Sequence, residues 1–143
     1  MMEEKRKKLW RVVDGCETAV LISAGMHGFP HARTMERVSL PQVEEVWFAT
    51  EARERKLGEI AREPRVTVFY SHPDKSWACI YGIAETVTDQ ALKSKLWKED
   101  WERYWPDGPV SEDYVLIRVR PVSGEYLMLA DYERGQVRFR NGE

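Results

Sequence analysis

The chain has 143 residues, 43% of them hydrophobic and 32% charged, the balance of one compact domain rather than of a disordered or membrane-spanning protein. No apolar run approaches the roughly twenty residues that a helix needs to cross a bilayer, and a formal charge of -2 offers no general basic field for nucleic acid. The charged start, Met1–Lys8, has no apolar signal core or small-residue cleavage site, so a cytoplasmic protein is expected. Along the chain, Glu3–Val13 sets Leu9, Val12 and Val13 among lysines and arginines, a short amphipathic helix stopped by Asp14-Gly15. Thr18–Ser23 and His31–Leu40 read as the strands of a hairpin, turned at Ala24–Gly28 and closed by Pro41.

Glu45–Thr50 is a further strand by its aromatic and β-branched content. Ala52–Arg62 reads as a helix with Leu57, Ile60 and Ala61 on its inner side and Pro64 beyond its end. Val66–Ser71 and Ser76–Val87 form an antiparallel pair around the turn His72–Lys75. Asp89 is an N-cap for a helix running through Tyr104, on which Trp97, Trp101 and Trp105 recur every fourth residue as a core or dimer stripe. Pro106–Pro109 breaks that pattern; Tyr114–Val119 and Glu125–Leu129 are strands, with a last edge strand at Val137–Arg140. Six or more strands joined mostly by hairpins, with helices between them, predict an α+β, mainly β, antiparallel split barrel in a single domain over residues 1–143.

Cys16 and Cys79 have no CxxC or metal-ligand spacing and read as small buried hydrophobes of a reducing compartment. His27 and His31 cannot form a helical HxxxH pair across Gly28 and Pro30, and with His72 they have no clear ligand partners, so no metal site is expected. No nucleophile elbow, Walker loop or GxGxxG occurs.

Four segments fall in a recognisable order: HARTM at His31–Met35, WFAT at Trp47–Thr50, RERKLGEIAREPRVTVFY at Arg53–Tyr70 and YGIAETV at Tyr81–Val87. Together they resemble the pyridoxamine 5'-phosphate oxidase-like FMN-binding split-barrel proteins, specifically the short general-stress-protein branch, over about residues 5–127. The resemblance implies bound FMN, with the deazaflavin F420, FAD and haem as alternatives, at the interface of a homodimer. By it, Arg33, Thr34 and Met35 contact the flavin, Phe48, Ala49 and Thr50 line it, and Arg55 and Lys56 hold its phosphate. Trp105 would lie near the ring and Trp77 would approach from the second subunit.

The physical chemistry agrees, because a nearly dianionic phosphate needs fixed cations and oriented N–H donors, here at a helix start. Glu54 stands where the family commonly has serine, and is expected to face solvent. The implied activity is that of an oxidoreductase acting on a small electron donor or acceptor, with no side chain needed as acid or base. The alternative is a flavin-binding stress protein that buffers or senses redox state without turnover. The vitamin B6 oxidases end in an Arg-Leu-x-Pro type segment, whereas this sequence ends Arg138–Glu143, so pyridoxine or pyridoxamine phosphate is not the expected substrate.

Overall fold

The computed structural model describes residues 2–38, 40 and 43–139. The elements, in chain order, are α1 (Met2–Asp14), β1 (Thr18–Ala24), β2 (Pro30–Val38), β3 (Val46–Glu51), α2 (Arg55–Arg62), β4 (Arg65–Ser71), β5 (Trp77–Val87), α3 (Gln90–Lys95), β6 (Tyr114–Met128) and β7 (Glu133–Arg138). All seven strands join one antiparallel sheet in the order β3-β2-β1-β4-β5-β6-β7, and β3 pairs back onto β6. That last pairing, with Phe48 opposite Ile117 and Thr50 opposite Val115, closes six strands into a barrel and leaves β7 as an extension along β6.

Alternation builds the interior. Leu21, Met35, Phe48, Val68, Ile80, Ile117 and Val119 point inward and form the main core. On β2 the inward set is His31, Arg33, Met35 and Arg37, so apolar side chains fill the middle and polar ones the two mouths. At one mouth α1 packs Leu9, Val12 and Val13 against the barrel. There the Arg37 Nη1 donates to the carbonyls of Val13 (3.0 Å) and Cys16 (3.2 Å), a cation placed where the helix dipole favours one. α2 covers the other mouth through Lys56, Glu59 and Ile60. Among the inward-facing positions of β5, Gly82 lies at a register shift, and a Cβ there would come 2.6 Å from the Arg120 carbonyl.

A second core covers the outer face of β3 and β6, where Trp47, Trp101, Trp105, Tyr114 and Leu116 pack together. The expected continuous helix from Asp89 to Tyr104 does not form. Asp89 does cap α3, accepting from the Leu92 N–H at 3.0 Å, but α3 ends at Lys95 and a 3-10 turn, Glu99–Arg103, follows. The reason is packing: Trp97, Trp101 and Trp105 surround the Tyr114 ring with centroids 5.2, 5.9 and 5.0 Å away. A straight helix would line the three indoles along one side instead.

Three further expectations are corrected. Tyr114–Val119 and Glu125–Leu129 are parts of one strand, β6, because Pro121 lies beside the β5 irregularity, where its missing N–H breaks no regular ladder. On α2, Ala61 is exposed and Lys56 and Glu59 take the inner side with Ile60. The last strand is earlier than expected, at Glu133–Arg138; Pro41, Arg140 and the tail to Glu143 lie outside the described residues. Cys16 and Cys79 are free and buried, as expected of small hydrophobes. Among the described residues no helix is long and apolar enough to cross a membrane.

The inward and outward faces of β5 give a direct check. Ile80 is fully buried and Ile83 is 40% exposed. Ile80→Ala should therefore lower the unfolding free energy by about 2–5 kcal/mol in urea titrations, and Ile83→Ala by less than about 1 kcal/mol. Equal losses would contradict the register.

Candidate functional site

The polar mouth under α2 concentrates charge that the middle of the barrel excludes. Glu59, one turn into α2, has a side chain only 2% exposed. It accepts from the Ser23 hydroxyl at 2.6 Å, from Arg33 Nη2 at 2.8 Å and from His31 Nδ1 at 2.9 Å, all three donors coming from the paired strands β1 and β2. Arg55 Nε completes the set at 3.5 Å. Burial alone would raise the Glu59 carboxyl above its ordinary range, but the hydrogen bonds from Ser23, His31 and Arg33 outweigh it and hold the group at about 2.

Arg33 is used up within this cluster. Its Nη1 donates to the Leu21 carbonyl at 3.2 Å and to Ser23 Oγ at 2.9 Å, and its Nη2 converges on Glu59 in contact with His31. Arg55 differs: its side chain is 63% exposed, with Nη2 2.7 Å from His31 Nε2 and 3.2 Å from Nδ1. Lys56 is buried, and its ammonium makes one hydrogen bond, to Thr50 Oγ1 at 2.8 Å. No carboxylate lies within ion-pair distance of it among the described residues. Desolvation pushes the Lys56 pKa down, with Arg33 adding to it and Glu54 and Glu59 opposing.

Glu54, the residue before α2, is exposed as expected, and its side chain caps none of the helix amides. The first-turn N–H groups of α2 therefore lack the usual side-chain acceptor. Beside them a cleft of about 620 Å³ is lined by Ala49, Thr50, Glu51, Glu54, Tyr104 and Trp105, among others. The Trp105 indole donates to Glu51 Oε2 at 3.0 Å and is otherwise packed in the outer core.

The ten residues singled out from sequence thus separate. Arg33, Thr50, Arg55 and Lys56 meet at the α2 mouth, and Ala49, Thr50 and Trp105 line the cleft next to it. Met35 and Phe48 are barrel core, and Thr34 is exposed on the outer face of β2. Trp77 stacks on Phe69 at the opposite end of β5 from Val87, whose partner Leu116 pairs with Ala49. Within one chain it is remote from the mouth. Sequence reasoning missed Ser23, His31 and Glu59 as members of the cluster. The spacing that marks them is Arg55 to Glu59, i to i+4 on one helix, facing the alternate residues His31 and Arg33 of a strand.

The model of the family described as "Pyridoxamine 5'-phosphate oxidase like" matches residues 4–133. General stress protein 26 from Bacillus anthracis str. Sterne superposes with a TM-score of 0.75 at 26% identity, covering 92% of this chain and 98% of its own. A protein related to general stress protein 26, from Clostridium acetobutylicum, gives a TM-score of 0.83 at 17% identity over 100% of both chains. The general stress FMN/FAD binding protein of Xanthomonas citri gives 0.76 at 22% identity, covering 88% of this chain and 89% of its own. No curated protein matches the chain.

The Glu59 cluster makes stability depend on pH. Because the folded-state pKa is depressed, the stabilisation is present above the unfolded value, near 4.5, and is lost as pH falls through about 2. Denaturant midpoints should fall across that window in the wild type, and Glu59→Gln should flatten this part of the profile. An unchanged slope in the variant would contradict the assignment.

Proposed function

Because this chain belongs to the pyridoxamine 5'-phosphate oxidase-like family, we propose that it binds FMN, with the phosphate at the start of α2, and works as a flavin-dependent oxidoreductase on a small electron donor or acceptor. The observation that carries this reading is Lys56: a buried ammonium with one neutral hydrogen-bond partner and, among the described residues, no carboxylate within ion-pair distance. Removing a cation from water costs several kcal/mol, roughly, unless an anion offsets it. Arg33, Arg55 and Lys56 outnumber the buried Glu59 in this cluster, and the exposed Glu54 is the other carboxylate that acts on Lys56. A phosphate monoester brings about -1.5 to -2 at pH 7. The residues present fit such a group.

In this reading Lys56 and Arg55 bind the phosphate, the uncapped amides of α2 add oriented donors, and Thr50 holds the Lys56 ammonium in place. Trp105 and Ala49 give the neighbouring cleft an apolar wall that excludes water. FMN when bound supplies hydride or single-electron transfer at N5 of its ring. The name of the Xanthomonas citri neighbour, an FMN/FAD binding protein, supports the choice of flavin.

A second reading, a flavin binder that buffers redox state without turnover, is favoured by the names of the Bacillus anthracis and Xanthomonas citri neighbours, which describe stress proteins and no reaction. Rapid reoxidation of the reduced protein by one acceptor supports the enzyme; indifference to every acceptor but oxygen supports the binder. We also propose a cytoplasmic homodimer with the flavin at its interface. An exposed apolar surface including Phe29, Tyr81, Ile83 and Val122 around a groove of about 580 Å³ supports an unfilled contact face.

The test is to titrate the protein separately with FMN, FAD, F420 and haemin, following absorbance and flavin fluorescence. FMN should bind, and the Arg55→Ala/Lys56→Ala double variant should weaken it at least tenfold, about 1.4 kcal/mol. Absence of FMN binding by a folded protein would contradict the proposal. Sedimentation of the same samples should return a dimer; a monomer at all concentrations would remove the interface.

A further inference from the structure

Glu59 and His31 take no direct part in the binding just described, yet they decide where Arg55 stands. An arginine that is 63% exposed has many rotamers open to it, and a cation in many positions is a poor partner for a single phosphate. Here its position is set from behind. The guanidinium is a donor only, so its contact with His31 requires an imidazole that can accept. The Glu59 carboxylate is an acceptor only, so its contacts with His31 Nδ1, 2.9 and 3.0 Å, require a proton on that nitrogen. An imidazole with its hydrogen on Nδ1 meets these two demands, and Arg33 Nη2, which also touches Nδ1, is then a second donor beside Glu59 and not a hydrogen-bond partner of the ring.

We infer that Glu59 and His31 are positioning residues for a phosphate monoester: Glu59 orients the His31 ring, and His31 holds the Arg55 guanidinium at the start of α2. Arg33 is the fixed back wall of this arrangement, since its guanidinium is committed to Leu21, Ser23 and Glu59. Arg55 keeps free N–H groups, because it has five donors and gives one to His31 and one, at 3.5 Å, to Glu59. Those that remain form the fork that suits phosphate oxygens. Lys56 is outside the relay, tied to Thr50 rather than to His31 or Glu59, and so serves as an internal control. The inference rests on the phosphate-site reading proposed above.

The experiment is a double-mutant cycle read by FMN and riboflavin affinity, the second ligand being the same ring system without phosphate. His31→Ala should weaken FMN about five- to tenfold and leave riboflavin unchanged. In the Arg55→Ala background the same His31 substitution should add nothing, whereas in the Lys56→Ala background its full effect should persist. Glu59→Gln should weaken FMN as His31→Ala does, and His31→Gln, which offers an amide oxygen to the guanidinium, should restore part of the loss. Equal loss for FMN and riboflavin, or additivity of His31→Ala with Arg55→Ala, would overturn the relay and leave the phosphate site standing. A wild type that binds riboflavin as well as FMN would overturn the phosphate site itself, and the relay with it.

Discussion

Closure of the sheet by β3 pairing with β6 is the constraint on which the rest depends. A closed barrel has no free edge along its length, but it has two mouths, and its apolar interior has to be sealed at both. One seal is conventional: α1 lays Leu9, Val12 and Val13 over the core. The other is not, since α2 turns Lys56 and Glu59 inward along with Ile60. Charge buried at a barrel end is stable only when matched. Glu59 is matched several times over, by Ser23, His31, Arg33 and Arg55, whereas Lys56 has only the Thr50 hydroxyl.

That imbalance is what joins fold to function. A mouth designed only to be closed would take apolar side chains, at a gain of roughly 1.5–3 kcal/mol for each one buried. This mouth gives up that gain and carries excess positive charge instead, at the start of a helix whose amides are uncapped. This is the arrangement on which the proposed phosphate site rests. Trp105, which joins the outer core to the cleft, connects the second packing layer to the same place.

Much of the barrel was legible in the sequence because strand alternation is a local signal. Thr18–Ser23, Glu45–Thr50 and Val66–Ser71 fall within a residue or two of β1, β3 and β4. The errors arose where a distant partner decides. Tryptophans at a spacing of four read as a helix, but Tyr114, contributed by β6, draws them into a cluster that a straight helix cannot make. Pro121 reads as a break, yet it is accommodated because β5 shifts register at Tyr81/Gly82. At the site, Arg55 and Lys56 were visible as a motif. Glu59 was not, because an apolar-face argument rightly places Leu57 and Ile60 inside but adds Ala61, and only three donors on β1 and β2 put Glu59 there instead. Buried charge is specified by its partners, and these lie 26 to 36 residues away in the chain.

The central claim is that cations at the start of α2 hold a dianionic phosphate. Phosphorus-31 NMR of FMN bound to the wild-type protein tests it most directly, by following the resonance as pH is lowered. The free phosphate gains a proton near pH 6, approximately. Held by Arg55 and Lys56, it should stay dianionic at least one pH unit lower, with a resonance distinct from that of free FMN. A bound phosphate that titrates as the free one does would contradict the account.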